Sequence, residues 1–271
     1  MGAIGKIIVG LMPIAPKFLV KRIAGRYVAG SNLESAIDLM KNMSKEDACF
    51  TIDVLGEEIN DIGEARYFVD EYSRVLELIV SNQINANISL KPTALGLLID
   101  KEVALSNIEE IMEKAALNDI FVRLDMEDHR VTQETIDVVL EMQKKGFENI
   151  GTVLQGRLFR TKEDIAEVSN KLGSLADFRI CKGIYLESGD ISYTKYQEIV
   201  DSTNECIDLM LEMGCYTAIA SHDIPIINHS LEKLSDMNMT VDTDSRDNSA
   251  GSRTGKGPGY EFQFLLGVRG N

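Results

Sequence analysis

Residues 177–187 read DFRICKGIYLE, the stretch of this chain that says most about function, and the alternation it belongs to sets the fold. Phe178 to Cys181 has the length and apolar content of a buried strand, yet Arg179 stands inside it and Lys182, Gly183 and Tyr185 follow at once. A guanidinium buried without a partner is strongly unfavourable, so Arg179 must meet an anion or an electron-rich ring at that strand end. A single arginine can instead snorkel to a surface carboxylate. What weighs against that reading is repetition: strands ending in polar groups recur along the chain.

Apolar strand-like runs on either side of it are Phe50 to Leu55, Asn87 to Leu90, Ile120 to Asp125, Ile150 to Leu154, Phe178 to Cys181 itself, Tyr216 to Ala220 and Glu261 to Leu266. Helical periodicities fill the spaces between them: Glu64 to Val80, Val103 to Ala116, Thr132 to Lys145, Lys162 to Leu172, Lys195 to Met213 and Pro225 to Met237. Strand, loop and helix repeating in this way predict a parallel sheet or barrel, and a single α/β barrel, usually of about 250 residues, suits a chain of 271. Residues 1–45 read as an N-terminal helical segment and 46–271 as the barrel domain. Within the latter, Asp242 to Gly259 is nearly devoid of apolar residues and is expected to be a flexible loop. Its GSRTGKGPG lacks the spacing and preceding strand of a phosphate-binding loop.

Composition narrows the function. The 43 acidic and 28 basic residues give a net charge of −15, which repels a nucleic-acid backbone. Cys49, Cys181, Cys206 and Cys215 form no CxxC pair and read as reduced, buried thiols of a cytoplasmic protein. Residues 1–30 hold five basic and no acidic side chains. That segment is expected to pack on the domain as an amphipathic helix, with peripheral contact to the inner face of a membrane as the functional alternative.

In a parallel barrel the site lies at the carboxyl ends of the strands. Those ends carry DVLGE (53–57), SLKPTALG (89–96), RLDME (123–127), Gln155, CKGIY (181–185), ASHD (220–223) and EFQFLLG (261–267). The centre is expected to be positively biased, with Lys91, Arg179 and Lys182 against Asp125 and with His222 nearby. Such a group suits an anionic cofactor. A flavin dinucleotide would use Gln155 as amide partner to the ring, Arg179 to stabilise the reduced ring, and Lys182 and His222 against the pyrophosphate. The rival chemistry is a Schiff-base lyase with Lys91 or Lys182 as nucleophile.

These strand ends resemble those of the proline dehydrogenase family, in its monofunctional bacterial type. The resemblance begins near Tyr27 in YVAGSNLESA and runs through DVLGE, SLKPTALG, RLDMED, Gln155, RICKGIYLE and SHD to YEFQFLLG, about 240 residues in all. It implies a (βα)8-type TIM barrel, FAD as cofactor, oxidation of L-proline to pyrroline-5-carboxylate and quinone as electron acceptor. It further implies that Lys91 helps hold the substrate carboxylate, that Asp125 is the site carboxylate of the third strand, and that Arg179 lies beside the hydride-accepting flavin nitrogen. Met126, Gln155, Lys182, Gly183, Ile184, Ser221 and His222 are the implied FAD contacts, and Tyr185 and Leu265 the implied walls of the proline pocket. Ser221 stands where the family usually has Thr, and Ile184 where it has Ala. The chain stops at Asn271, before the eighth strand and the arginine-bearing helix that the family adds. A barrel shortened after its seventh strand is expected to have open edges that favour self-association. A non-catalytic flavin-binding barrel is the alternative that this departure raises.

Overall fold

The computed structural model describes residues 33–46, 48–239 and 259–268. Helix α1 (Leu33–Met43) leads into strand β1 (Phe50–Asp53), after which strands and helices alternate. They are α2 (Ala65–Asn82), β2 (Ala86–Leu90), α3 (Lys101–Ala116), β3 (Val122–Leu124), α4 (Thr132–Lys144), β4 (Ile150–Gln155), α5 (Thr161–Leu172), β5 (Asp177–Cys181), α6 (Tyr196–Glu212), β6 (Tyr216–Ala220), α7 (Ile224–Asp236) and β7 (Tyr260–Gln263). All seven strands are parallel and lie in sequence order in one sheet, and β1 and β7 are not neighbours in it. The α/β barrel architecture expected from the alternation is therefore present. The expected amphipathic helix of residues 1–30 lies outside the described residues, as does the polar loop except for Gly259; of the lead-in YVAGSNLESA, Leu33 to Ala36 are described and open α1.

Each helix forms because apolar positions recur at its turn spacing. In α2, Val69, Tyr72, Val75, Leu76 and Ile79 are all buried on one stripe. Helix α3 starts where Asp100 accepts hydrogen bonds from the backbone N–H groups of Glu102 and Val103 at 3.0 and 3.1 Å, a cap worth about 1 kcal/mol. The outer face of the strands packs on these helices through residues such as Ile88, Leu90, Val122, Leu124, Phe178 and Ile180, all buried. Alternation then sends the intervening residues inward.

That inner face is polar. Arg123, 1% exposed, pairs with Asp177 at 2.6 Å, and its guanidinium carbon lies 4.8 Å from the centre of the Phe121 ring. Space for it comes from Gly151, where a Cβ would stand 3.0 Å from Arg123 Nη1 and 2.5 Å from the Asp177 carbonyl oxygen. Two rungs on, toward the carboxyl ends, the same alternation places Asp125 and Arg179.

Two expectations fail in detail. Cys206 and Cys215 are buried, but Cys49 is exposed and Cys181 half-buried. Cys49 precedes β1, and its sulfur accepts a hydrogen bond from Asn85 Nδ2 at 3.1 Å. The seventh strand ends at Gln263 rather than Leu266, because the chain turns over Leu265 to Val268, closed by a 3.2 Å backbone bond. Its apolar FLL therefore lies at the rim, with Phe264, Leu265 and Leu266 all exposed.

Candidate active site

Lys91 follows the last residue of β2 and precedes Pro92. A residue before proline is confined to extended backbone, and Lys91 sits at φ −97°, ψ 110°. Pro92 starts a 3-10 turn, Pro92–Leu95, and Gly96, at φ +105°, ends it in the left-handed region that favours glycine. The motif SLKPTALG is thus a strand, a presented lysine and a locked turn. Glu127, beyond β3, fastens that turn: Thr93 donates to it through its backbone N–H at 2.9 Å and its hydroxyl at 2.5 Å.

The ammonium of Lys91 lies between two carboxylates, 2.8 Å from Asp53 Oδ2 at the end of β1 and 2.7 Å from Asp125 Oδ2 just past β3. Asp125 Oδ1 accepts from Ser89 Oγ at 2.5 Å and from Arg179 Nη1 at 2.9 Å. Arg179 also reaches Ser89 Oγ at 3.1 Å. Lys91, Asp125 and Arg179, expected together from three strands, are together, and the anion that Arg179 requires is Asp125.

The expected positive bias is corrected. Asp53 joins Asp125, so two cations face two carboxylates and the centre is balanced. Tyr72 of α2 supports it: its hydroxyl oxygen lies 2.7 Å from Ser89 O and 3.2 Å from Asp53 Oδ1. Burial opposes ionisation at Asp53 and raises its pKa despite Lys91. Burial opposes it at Asp125 too, but Arg179 and Lys91 outweigh that and hold the carboxyl below its ordinary range. For Lys91, burial disfavours the charge and the two aspartates more than restore it, raising its pKa. Burial pushes Glu127 up to about 7 against its bonds from Thr93.

The remaining predicted residues form the rim. Gln155, buried at the end of β4, donates from Nε2 to the Glu127 carbonyl at 2.7 Å, while its buried Oε1 has no partner. Gly183, at φ +96°, passes so close that a Cβ there would stand 2.4 Å from that oxygen. Lys182 pairs with Asp223 at 2.5 Å and lies 5.2 Å from the centre of the Tyr196 ring. Ser221 Oγ accepts from the Asp223 N–H at 3.0 Å, and His222 Nε2 accepts from the Leu265 N–H at 2.9 Å. Tyr185 bonds Glu57 Oε1 at 3.1 Å across the mouth, Met126 is buried, and Ile184 and Leu265 are exposed at 85% and 72%.

Sequence reasoning passed over Asp53, Tyr72, Glu127 and Asp223 as site residues. Asp53 and Glu127 carried a signal, since each stands at a strand end within a quoted motif. Tyr72 carried none, because an aromatic on the apolar stripe of a helix reads as core.

The sequence profile of the family described as proline dehydrogenase matches residues 36–268. Proline dehydrogenase 1 and proline dehydrogenase 2 of Bacillus subtilis (strain 168) are each 31% identical to the chain, over 246 and 247 residues, covering 91% of it and 75% of their own lengths. Proline dehydrogenase of Deinococcus radiodurans is 29% identical over 255 residues, again 91% of this chain and 75% of the relative. Among solved structures, proline utilization A from Bdellovibrio bacteriovorus, inactivated by N-propargylglycine, superposes with a TM-score of 0.79 at 21% identity. That likeness covers 93% of this chain but 29% of the solved one, and proline utilization A of Bradyrhizobium japonicum gives 0.70 at 19%, over 91% and 26%. The chain thus spans under a third of those structures, and they bear on its fold alone.

Proposed function

The chain belongs to the proline dehydrogenase family, and from that premise we propose that it oxidises L-proline to pyrroline-5-carboxylate with FAD as its cofactor and a quinone as final electron acceptor. The observation that carries this reading is the Lys91, Asp125 and Arg179 constellation, assembled from the ends of β2, β3 and β5 beside an unpartnered buried acceptor.

The residues fit a flavin. Gln155 Oε1 is a buried acceptor in want of a donor, which the imide edge of the ring offers, and the missing side chain of Gly183 leaves room beside it. Gln155, Arg179 and Met126 would hold the ring, while Lys182, Ser221 and His222, with Gly183 and Ile184 alongside, would hold the phosphates and the rest of the dinucleotide. When bound, FAD supplies a two-electron acceptor for hydride.

The protein groups do the rest. Lys91 presents a charge that an incoming carboxylate can share, since one ammonium donates three hydrogen bonds and two are in use here. Asp125, held ionised, offers a fixed anion toward the substrate ammonium and keeps Arg179 in place. Arg179 in turn stabilises negative charge that develops nearby. Tyr185 and Leu265 form the outer wall of the pocket.

The Schiff-base reading is disfavoured. A lysine nucleophile needs a depressed pKa, whereas Lys91 is clamped by two carboxylates that raise it and Lys182 is ion-paired. Among the described residues no helix is long and apolar enough to cross a membrane. Contact with a quinone-bearing membrane is proposed for the basic segment 1–30, and a cytoplasmic location with it. Anaerobic addition of proline to the purified, FAD-loaded chain should bleach the flavin absorbance. A flavin that stays oxidised over many minutes at saturating proline would refute the assignment.

A further inference from the structure

The hydroxyl of Tyr72 carries one proton and has three neighbours. The Ser89 carbonyl, at 2.7 Å, can only accept; the Val54 N–H, at 3.2 Å, can only donate; Asp53 Oδ1 lies at 3.2 Å. The proton belongs on the shorter line to Ser89, and the Val54 N–H takes a lone pair. The contact between Tyr72 Oη and Asp53 Oδ1 is then two oxygens with no hydrogen between them unless Asp53 supplies one. Asp125 is the reverse case: Lys91, Arg179 and Ser89 all donate to it, so its oxygens are those of an anion. The two carboxylates flank one ammonium, and one is built to hold a proton while the other is not.

We propose that Asp53 is the general base of the site, taking the proton of the substrate amine onto Oδ1, where Tyr72 Oη accepts it. This deepens the proline-oxidising reading and rests on it. The ring nitrogen of zwitterionic proline carries two hydrogens and no lone pair. One N–H bond breaks, its proton forms an O–H bond on Asp53, and its electrons stay on nitrogen. The freed pair can then form the C=N bond as the neighbouring carbon gives up hydride, the oxidation that the proposed function assigns. Net charge does not oppose the transfer: the balanced group and zwitterionic proline are neutral together before it and stay so after, with the extra positive charge on the group facing the prolinate carboxylate. The charged and titratable groups facing Asp53 are Lys91 from β2, Asp125 from β3 and Tyr72 from α2. The pair diverges: burial, with Asp125, raises Asp53 against Lys91 and the Tyr72 contact, which lower it, while Arg179 and Lys91 outweigh burial at Asp125, and such a divergence distinguishes a proton carrier from a fixed charge.

Two measurements test it. Carbon-13 NMR of carboxylate-labelled aspartates, which needs neither flavin nor turnover, should show a signal absent in D53N that titrates above the ordinary aspartate range. In Y72F, which loses the oxygen that accepts from the protonated form, that signal should titrate lower. Steady-state kinetics with bound FAD should give a kcat/KM for proline that falls at low pH. D53N should lose that limb and at least about 100-fold in kcat, while cyclopentanecarboxylate, which has no ring nitrogen, should bind D53N no more weakly than wild type, because one of the anions beside Lys91 is gone. The proposal is overturned if the Asp53 signal titrates in the ordinary range, or if D53N keeps both its limb and its kcat. If the wild-type protein does not oxidise proline at all, the functional reading fails, while the NMR titration still decides which aspartate holds the proton.

Discussion

Replacing Lys91 by methionine removes the ammonium that Asp53 and Asp125 share and leaves a side chain of similar length. The two Oδ2 atoms each lie within 2.8 Å of that nitrogen, so they are at most about 5.5 Å apart. At an effective dielectric of about 20, two unit charges at that distance repel by about 3 kcal/mol. Both carboxylates also lose a charge-assisted hydrogen bond, and breaking a buried pair from one side costs about 3–5 kcal/mol. Lys91 is 14% exposed, so K91M should be destabilised at pH 7 by about 3 kcal/mol. The pH dependence is the sharper test. Without the lysine the folded-state pKa of Asp53 rises further above its unfolded value, so the folded chain binds a proton that the unfolded chain does not. Stability lost at pH 7 should therefore return as pH falls through the folded pKa of Asp53 toward the unfolded value near 4. Urea unfolding of wild type and K91M across pH 4.5–8 measures the difference. A loss under about 0.5 kcal/mol, or one of the same size at every pH, would refute the shared-ammonium account.

Other outcomes follow from the same geometry. R179M should retain FAD less well and lower its reduction potential, since about 1–3 kcal/mol of stabilisation of the reduced anion is lost; spectroelectrochemistry reads both. G183A, which forces a Cβ to within 2.4 Å of Gln155 Oε1 at φ +96°, should lower FAD occupancy at fixed cofactor concentration, as flavin absorbance per protein would show. D177A strands the Arg123 charge in the barrel and should cost about 3–5 kcal/mol in urea unfolding. The Glu127 proton is held to about pH 7 when folded and lost near 4.5 when unfolded, so wild type should lose up to about 3 kcal/mol relative to E127Q as pH rises across that window.

The fold was legible because strand-and-helix alternation is a local property, and the seven strands and six helices predicted between Phe50 and Leu266 are present within a few residues of their predicted bounds. The seventh strand was misjudged at its end because period and apolarity cannot distinguish a strand residue from an apolar residue exposed at a barrel mouth, as Leu265 is. At the site, Lys91, Asp125 and Arg179 could be grouped because each sits at a strand end and the barrel sends all strand ends to one rim. Their pairing partners could not be read so easily. Asp53 looked like one more acidic loop residue, and only the register Asp53 to Ser89 between β1 and β2 sets it opposite Lys91. Arg123 and Asp177 are 54 residues apart, and nothing short of the assembled sheet shows that they neutralise each other.

Charge balance also explains how such a site folds before any ligand arrives. A centre of unopposed cations would repel itself in a low-dielectric interior, and each unpaired charge would carry its full desolvation cost. Pairing Lys91 with two aspartates and Arg179 with one of them offsets that cost and leaves the groups arranged for later use. A substrate bearing both a carboxylate and an ammonium can exchange into this arrangement with no net change in charge, each of its ends replacing part of an existing pair. The same balance makes the site selective: a ligand with the carboxylate alone adds an uncompensated anion beside Asp53 and Asp125, and it can bind well only if one of them takes up a proton.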